Sequence, residues 1–328
     1  MFISIFNAFE SGIIFAIMAL GVYLTFRILD FPDLTVDGSF VTGGAVTAIL
    51  ITNGMPAIIA TFIAIVCGFI AGTITGLLNT KGKVNPLLSG ILMMTALYSI
   101  NLRIMGQSTI PLLNQSTVFT QLKNVFESAG LDGIINQGLT GLGLERTPST
   151  YSVLLVMLVV TFFIKFVTDY FLKTEIGLAL RATGDNERMI RSFSANTDFL
   201  TVIGLGFSNA LVALAGGLYA QFTGFSDLNM GIGMIVVGLA SVIIGESVVG
   251  TKSIMRTTFA VIIGSIIYRV VVTLALRADF LDNGDTRLIT ALLVILALVM
   301  PRLIETYKER TRKKKKRVAL TEQIKEGA

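Results

Sequence analysis

The chain has 328 residues, 53% of them hydrophobic and 14% charged, with a mean hydropathy of +0.78. A soluble domain carries about 25% charged residues, so this chain lacks the polar surface to cover itself in water, and a soluble globular enzyme is excluded. It has no histidine, a single cysteine (Cys67) and a net charge of +5 gathered at its C-terminal end. That excludes an internal disulfide framework, Cys/His zinc sites and catalytic triads built on histidine, so neither catalytic nor metal-ligating residues are expected.

A helix needs about 20 mostly apolar residues to cross the hydrocarbon core. Blocks of that kind occur near 8–29, 57–79, 86–105, 151–172, 200–222, 257–277 and 286–304, with shorter, glycine-containing candidates at 39–52 and 231–245. The predicted fold is all-α: a polytopic membrane helix bundle of about nine spans, with eight to ten as the range, including short broken helices. Residues 1–308 form one membrane unit and 309–328 a basic tail.

The first block opens without the Lys/Arg region and cleavage site of a secretory signal, so it is kept as a span. After it, Asp30-Phe31-Pro32-Asp33-Leu34-Thr35-Val36-Asp37-Gly38 has the composition of a turn and helix cap, with Asp37 or Ser39 as capping residue. Gly43 and Gly44 inside 39–52, and Gly231, Gly233 and Gly238 at 231–245, mark two interrupted helices. Such helices are tolerated in a membrane where they border a pathway. Gly68, Gly72 and Gly76 form a stripe of small residues four apart, which lets another backbone approach closely. Packing within the chain is the favoured reading, with homodimer contact as the alternative.

The gap 106–150 is read as an external loop holding an amphipathic helix, with Val118, Leu122, Val125, Phe126 and Ala129 at helical spacing. Arg269 lies within a span, where a charge is costly and faces the bundle interior; Glu246 and Glu10 stay open as its partner. The segment Lys173–Asp198 is long and polar, yet contains Ala179, Ala182, Met189, Ile190 and Phe193. Asp185 or Asn186 can cap a second short helix there, with Glu187 in its first turn. Apolar residues on such a loop, beside Arg181, Arg188 and Arg191, suggest docking to another protein.

Lys and Arg concentrate in cytoplasmic segments. With the N-terminus outside and the C-terminus in the cytoplasm, most of the 26 basic residues fall on one side, leaving Arg103, Lys123, Arg146, Arg269, Arg277 and Arg287 elsewhere. The tail RTRKKKKR at 310–317 is then an electrostatic anchor to membrane lipids, not a nucleic-acid site. The run Gly245 to Ser253 has one residue too many between its second glycine and Lys252 to be a phosphate-binding loop.

The run Gly177-Leu-Ala-Leu-Arg181-Ala182-Thr-Gly184-Asp185-Asn186 resembles the coupling-helix loop of permease subunits of ATP-binding-cassette importers. The branch is that of branched-chain amino-acid, monosaccharide and nucleoside permeases. Phe31–Gly44, Lys83–Ser99 and Leu239–Met300, including IIGE at Ile243–Glu246, fit the same family, so the likeness spans nearly the whole chain. It is greatest to tryptophan/tyrosine-type and uncharacterised amino-acid importers served by binding lipoproteins.

The resemblance implies that Gly177, Arg181, Ala182, Gly184, Asp185 and Asn186, on the loop 173–199, dock a separate cytoplasmic ATPase that binds ATP and Mg; this chain itself would hold no cofactor. It also implies an extracellular or periplasmic substrate-binding lipoprotein and a second permease copy, as a homodimer in the plasma membrane. By position, Asp37, Gly38, Gly43, Asn85, Pro86, Ser89 and Met93 are candidates for the translocation pathway. The expected cargo is an amino acid, aromatic by preference, with nucleosides or sugars as alternatives. A stand-alone secondary transporter or channel is the competing function, and it would place working carboxylates within the spans.

Overall fold

The computed structural model describes residues 2–128, 150–193 and 195–276, together with isolated positions between 288 and 299. Ten α-helices are present among the described residues: α1 (Phe2–Val22), α2 (Thr35–Thr52), α3 (Ala57–Thr80), α4 (Pro86–Met105), α5 (Val118–Ser128), α6 (Ser152–Lys173), α7 (Glu175–Ser192), α8 (Thr197–Thr223), α9 (Met234–Val249) and α10 (Ile254–Ala275). A π-helical turn, Tyr23–Ile28, prolongs α1. Eight segments of the described residues are long and apolar enough to cross a membrane, and the chain is a multi-pass membrane helix bundle. The ninth expected span, 286–304, falls outside the described residues apart from a few positions, as do 129–149 of the expected external loop and the tail 309–328.

α1, α2 and α8 form the centre. Ile14, Ile17, Met18 and Phe40 are wholly buried there, and Phe15 stacks on Phe40 with ring centroids 5.9 Å apart. α3 lies along α8 through the glycine stripe. A Cβ on Gly68 would stand 2.5 Å from the Asn209 carbonyl oxygen, and one on Gly72 2.2 Å from that of Leu205. Gly76 meets the Val202 Cα in the same way. The stripe therefore packs two helices of one chain.

The segment 39–52 departs from expectation: α2 runs unbroken. Glycine in a helix costs only about 1 kcal/mol against alanine, and Gly43 is seated where a Cβ would stand 1.9 Å from the Ala213 carbonyl oxygen of α8. Close approach, not unwinding, is its role. The second segment is interrupted at Gly231–Gly233 but not at Gly238, which lies within the continuous α9 and packs on Val22. A 3-10 turn, Leu228–Gly231, leads to extended Ile232 and left-handed Gly233 (φ 83°), and only then does α9 begin. The leg before it is fixed by β2 (Phe225–Asp227), antiparallel to β1 (Thr109–Pro111) with Ile110 opposite Ser226.

α5 uses a shifted face. Phe119 is its buried anchor and packs edge-on to Phe222, while Val125 is exposed. Arg269 takes neither carboxylate named for it: its Nε donates to Ser11 Oγ at 3.3 Å and its guanidinium lies 4.3 Å from the Phe15 ring centroid. Glu246 is occupied by Arg27.

Candidate functional site

The polar end of the bundle is organised around α7. Thr174 ends α6 in an extended conformation and accepts the N–H of Gly177 at 3.2 Å, so it caps α7. Gly177 is buried beneath α6, where a Cβ would stand 2.1 Å from the Phe171 carbonyl oxygen. Leu180, wholly buried, plugs α7 against Leu29, Phe31 and Leu205. At Gly184 a Cβ would stand 2.0 Å from the Ile28 carbonyl oxygen, so the loop rests backbone to backbone on the π-helical turn.

α7 then kinks. Asn186 leaves the helical region (φ −156°, ψ 88°), and its side-chain oxygen accepts the Met189 N–H at 3.1 Å. It is thus the cap of a second short arm, as its position suggested. That arm is tied to α8 through Arg191, whose Nη2 is 2.8 Å from Glu187 and 2.9 Å from Asp198, and whose Nε donates to Thr197. Exposed on the loop are Ile176, Leu178, Met189 and Phe193, the last at 75%. A polar loop presenting apolar side chains has surface to spare for a partner.

Cavities flank α7 on both sides. A groove of about 790 Å³ is lined by Phe26, Arg27, Ile28, Asp30, Leu178, Arg181, Ala182, Gly184 and Asp185, which brings four of the six expected docking residues together. Of the other two, Gly177 is buried under α6 and Asn186 forms the kink. A second cavity, about 400 Å³, holds Asn85 and Pro86 with Lys83, Glu187 and Arg191. Asn85 is the cap of α4, accepting the Leu87 N–H at 3.0 Å, and Pro86 is its first residue.

A third cavity, about 350 Å³ and largely apolar, opens among α2, α4 and the leg before α9. It is lined by Asp37, Gly38, Val41, Met94, Thr95, Tyr98, Ser99, Asn101, Leu228, Gly231 and Ile232. Of the pathway candidates it contains Asp37 and Gly38. Gly43 is packed on α8, Ser89 is buried with its hydroxyl donating to the Asn85 carbonyl, and Met93 packs with Ala71 and Leu97. Met94, Tyr98 and Asn101 line the cavity, none of them among the residues expected from sequence for the pathway. A helical projection of α4 places Met94, Tyr98 and Asn101 on one face.

The carboxylates of 30–38 are used differently from the single cap expected. Asp33 stands just ahead of α2, with Oδ1 accepting the Thr35 N–H at 2.9 Å, while Oδ2 accepts from the Asn209 amide at 2.7 Å. Burial pushes the Asp33 carboxyl above its ordinary value, and the hydrogen bonds from Thr35 and Asn209 only partly offset this. Asp37 caps a helix, but not its own. Its two oxygens accept the N–H groups of Gly233 and Ile235 at 2.9 and 2.8 Å, holding the start of α9 inside the bundle.

At the other end of α9, Glu246 pairs with Nε of Arg27 at 3.1 Å. Within the spans, Lys165 pairs with Asp169, which also accepts from Thr258 on α10. Both charged side chains are buried, a pair not expected from the sequence.

A family model described as branched-chain amino acid transport system, permease component, matches residues 4–300. Among curated proteins, the tyrosine transport system permease protein of Clostridioides difficile (strain R20291) is 42% identical over 291 residues, covering 89% of each chain. An uncharacterised protein, RP368, of Rickettsia prowazekii (strain Madrid E) is 31% identical, over 89% of this chain and 95% of its own. The ribose import permease protein RbsC of Escherichia coli (strain K12) is 25% identical, over 86% and 77%. No solved structure matches the chain.

Proposed function

This chain belongs to the branched-chain amino acid transport system permease family, and from that premise we propose that it is the transmembrane subunit of an ATP-binding-cassette importer of amino acids, aromatic by preference. A separate ATPase, carrying ATP and Mg, docks on α7 from the cytoplasm. The observation that carries this reading is the construction of α7: Gly184 lies on the Ile28 carbonyl, with Arg181 and Asp185 beside it in an open groove. A loop so firmly seated passes a push from outside into α1 instead of absorbing it.

Two copies pair in the plasma membrane, N-terminus outside and C-terminus in the cytoplasm. An external binding lipoprotein delivers substrate to a pathway that includes the cavity at Asp37, Gly38 and Tyr98. The tyrosine transport relative supports the choice of an amino acid as cargo. A stand-alone transporter would use intramembrane carboxylates that are free to titrate or bind ions. Two of the carboxylates within the spans are not free in this sense: Asp169 is held by Lys165 and Thr258, and Asp37 by two backbone N–H groups.

The test is to purify the protein with its partners from the native membrane in mild detergent and identify them by mass spectrometry. A stoichiometric ATPase and a lipoprotein are expected, and the lipoprotein is then screened against tyrosine, tryptophan, nucleosides and sugars. Recovery of the permease alone, together with uptake in ATPase-free proteoliposomes, would overturn the proposal in favour of a stand-alone transporter.

A further inference from the structure

We propose that the Arg27–Glu246 ion pair is the joint through which the α7 groove sets the position of α9, making both side chains positioning residues for transport. The inference rests on the reading of α7 as the ATPase-docking loop.

α9, 16 residues long, starts inside the bundle. Each end is held by a residue from another helix whose polar group suits the helix dipole. At its N-terminus the acceptor is the Asp37 carboxyl of α2, on the N–H groups of Gly233 and Ile235. Near its C-terminus stands Glu246, an anion where the dipole disfavours one, and Arg27 compensates from the π-helical turn. The helix thus has a joint at each end, and both joints are polar.

The two partners of the lower joint differ in access. The Arg27 side chain is 58% exposed and lines the groove with Asp30, Arg181 and Asp185, whereas Glu246 is 15% exposed. Anything that fills the groove meets the arginine and not its partner. An ion pair this open contributes little to stability, so its consequence lies in where it holds α9. The next residue, Ile28, bears on Gly184 with no room for a methyl group between them, so movement of α7 is delivered at once to the Arg27 turn. π-helical segments depart from the regular ladder and recur at functional sites.

The upper joint delivers movement to the cavity. Gly231 sits where a Cβ would stand 2.2 Å from the Asp37 carbonyl oxygen, and it lines the cavity with Ile232 and Asp37. A shift of α9 along its axis therefore reshapes that wall. The path consists of the groove, Arg27, Glu246, α9, Asp37 and the cavity, and its lower ion pair is the step that a charge exchange can interrogate.

The experiment uses the assembled transporter, permease with its ATPase and binding lipoprotein, in proteoliposomes loaded with ATP. It reads substrate taken up per ATP hydrolysed. Glu246→Gln and Glu246→Arg are each expected to lower that ratio about tenfold, within the range of allosteric couplings. Adding Arg27→Glu to Glu246→Arg restores it to within about threefold of wild type, as a double-mutant cycle requires. Arg27→Lys, which keeps the charge, retains most of the ratio. Should Glu246→Arg fail to assemble, Glu246→Gln and the exchanged pair decide. A normal ratio in Glu246→Gln would sink the proposal, and so would an exchanged pair that assembles yet stays as uncoupled as the single variant. Absence of ATP-dependent uptake by the wild-type complex would instead strike the importer reading itself.

Discussion

Asp33 and Asn209 stand 176 residues apart in the chain, yet the Asn209 amide donates to the Asp33 carboxylate at 2.7 Å in the centre of the bundle. The pair links the turn after α1 to the middle of α8, and Asn209 Oδ1 has no hydrogen-bond partner among the described residues. Burial raises the Asp33 carboxyl, so the folded chain holds that proton more firmly than the unfolded chain does. This contribution to stability is complete below the ordinary carboxylate value of about 3.9 and is lost as pH rises through the raised folded value.

Asp33→Asn removes that titration, and the new amide can donate to the orphaned Asn209 oxygen. Its thermal midpoint in detergent, relative to wild type, is expected to climb as pH rises above the ordinary carboxylate value. A relative midpoint that falls over the same rise in pH would show that the carboxylate is favoured in the folded state. Asn209→Leu, by contrast, strips Asp33 of a donor and should cost about 1–3 kcal/mol at neutral pH.

Gly72→Leu places a branched side chain where even a Cβ meets the Leu205 carbonyl. Overpacking of this kind costs about 1–3 kcal/mol or more, and a lower melting temperature with unchanged particle mass in detergent is expected. If light scattering instead showed the mass halving with the melting temperature intact, the stripe would be an interface between copies.

Lys165→Met leaves Asp169 as an unpaired charge between α6 and α10. A loss of about 3–5 kcal/mol is expected, and most of it should return in Lys165→Met/Asp169→Leu, because two apolar side chains replace both charges. Equal stability of the single and double variants, measured by thermal unfolding, would contradict this account.

Arg181→Glu reverses a charge in the groove beside Gly184. Insertion and folding should be unaffected, while co-purification of the ATPase falls about tenfold or more and transport is abolished. Persisting transport would show that the groove is not where the ATPase binds.

Most of the architecture was legible because lipid imposes a simple rule: apolar runs of sufficient length become spans. The kink at Asn186 was legible because a capping residue followed by Glu187 is a local signal. The fate of Gly43 was not. A glycine that breaks a helix and one that admits a neighbouring carbonyl look alike until Ala213 of α8 is placed against it. Asp37 illustrates the same limit. It looked like a cap for the helix it begins, but it caps one starting nearly two hundred residues later, since α9 begins inside the bundle. Lys165 and Asp169 were hidden by averaging: two opposite charges four apart in a strongly apolar run barely dent the hydropathy of the whole. Met94, Tyr98 and Asn101 share a helical face, but nothing in α4 alone says which face borders a cavity.

The contact at Gly184 also limits how a defect there can be repaired. Its obstacle is the main-chain oxygen of Ile28, which every residue type possesses, so no replacement of the facing side chain can make room for an added methyl. A revertant of Gly184→Ala must move backbone instead. Second-site suppressors should therefore gather where the chain can pivot, at the Thr174 cap, the Asn186 kink and the π-helical turn, and be missing from the walls of the groove. In genetic terms, Gly184 is a position whose only tolerated neighbours are changes of shape.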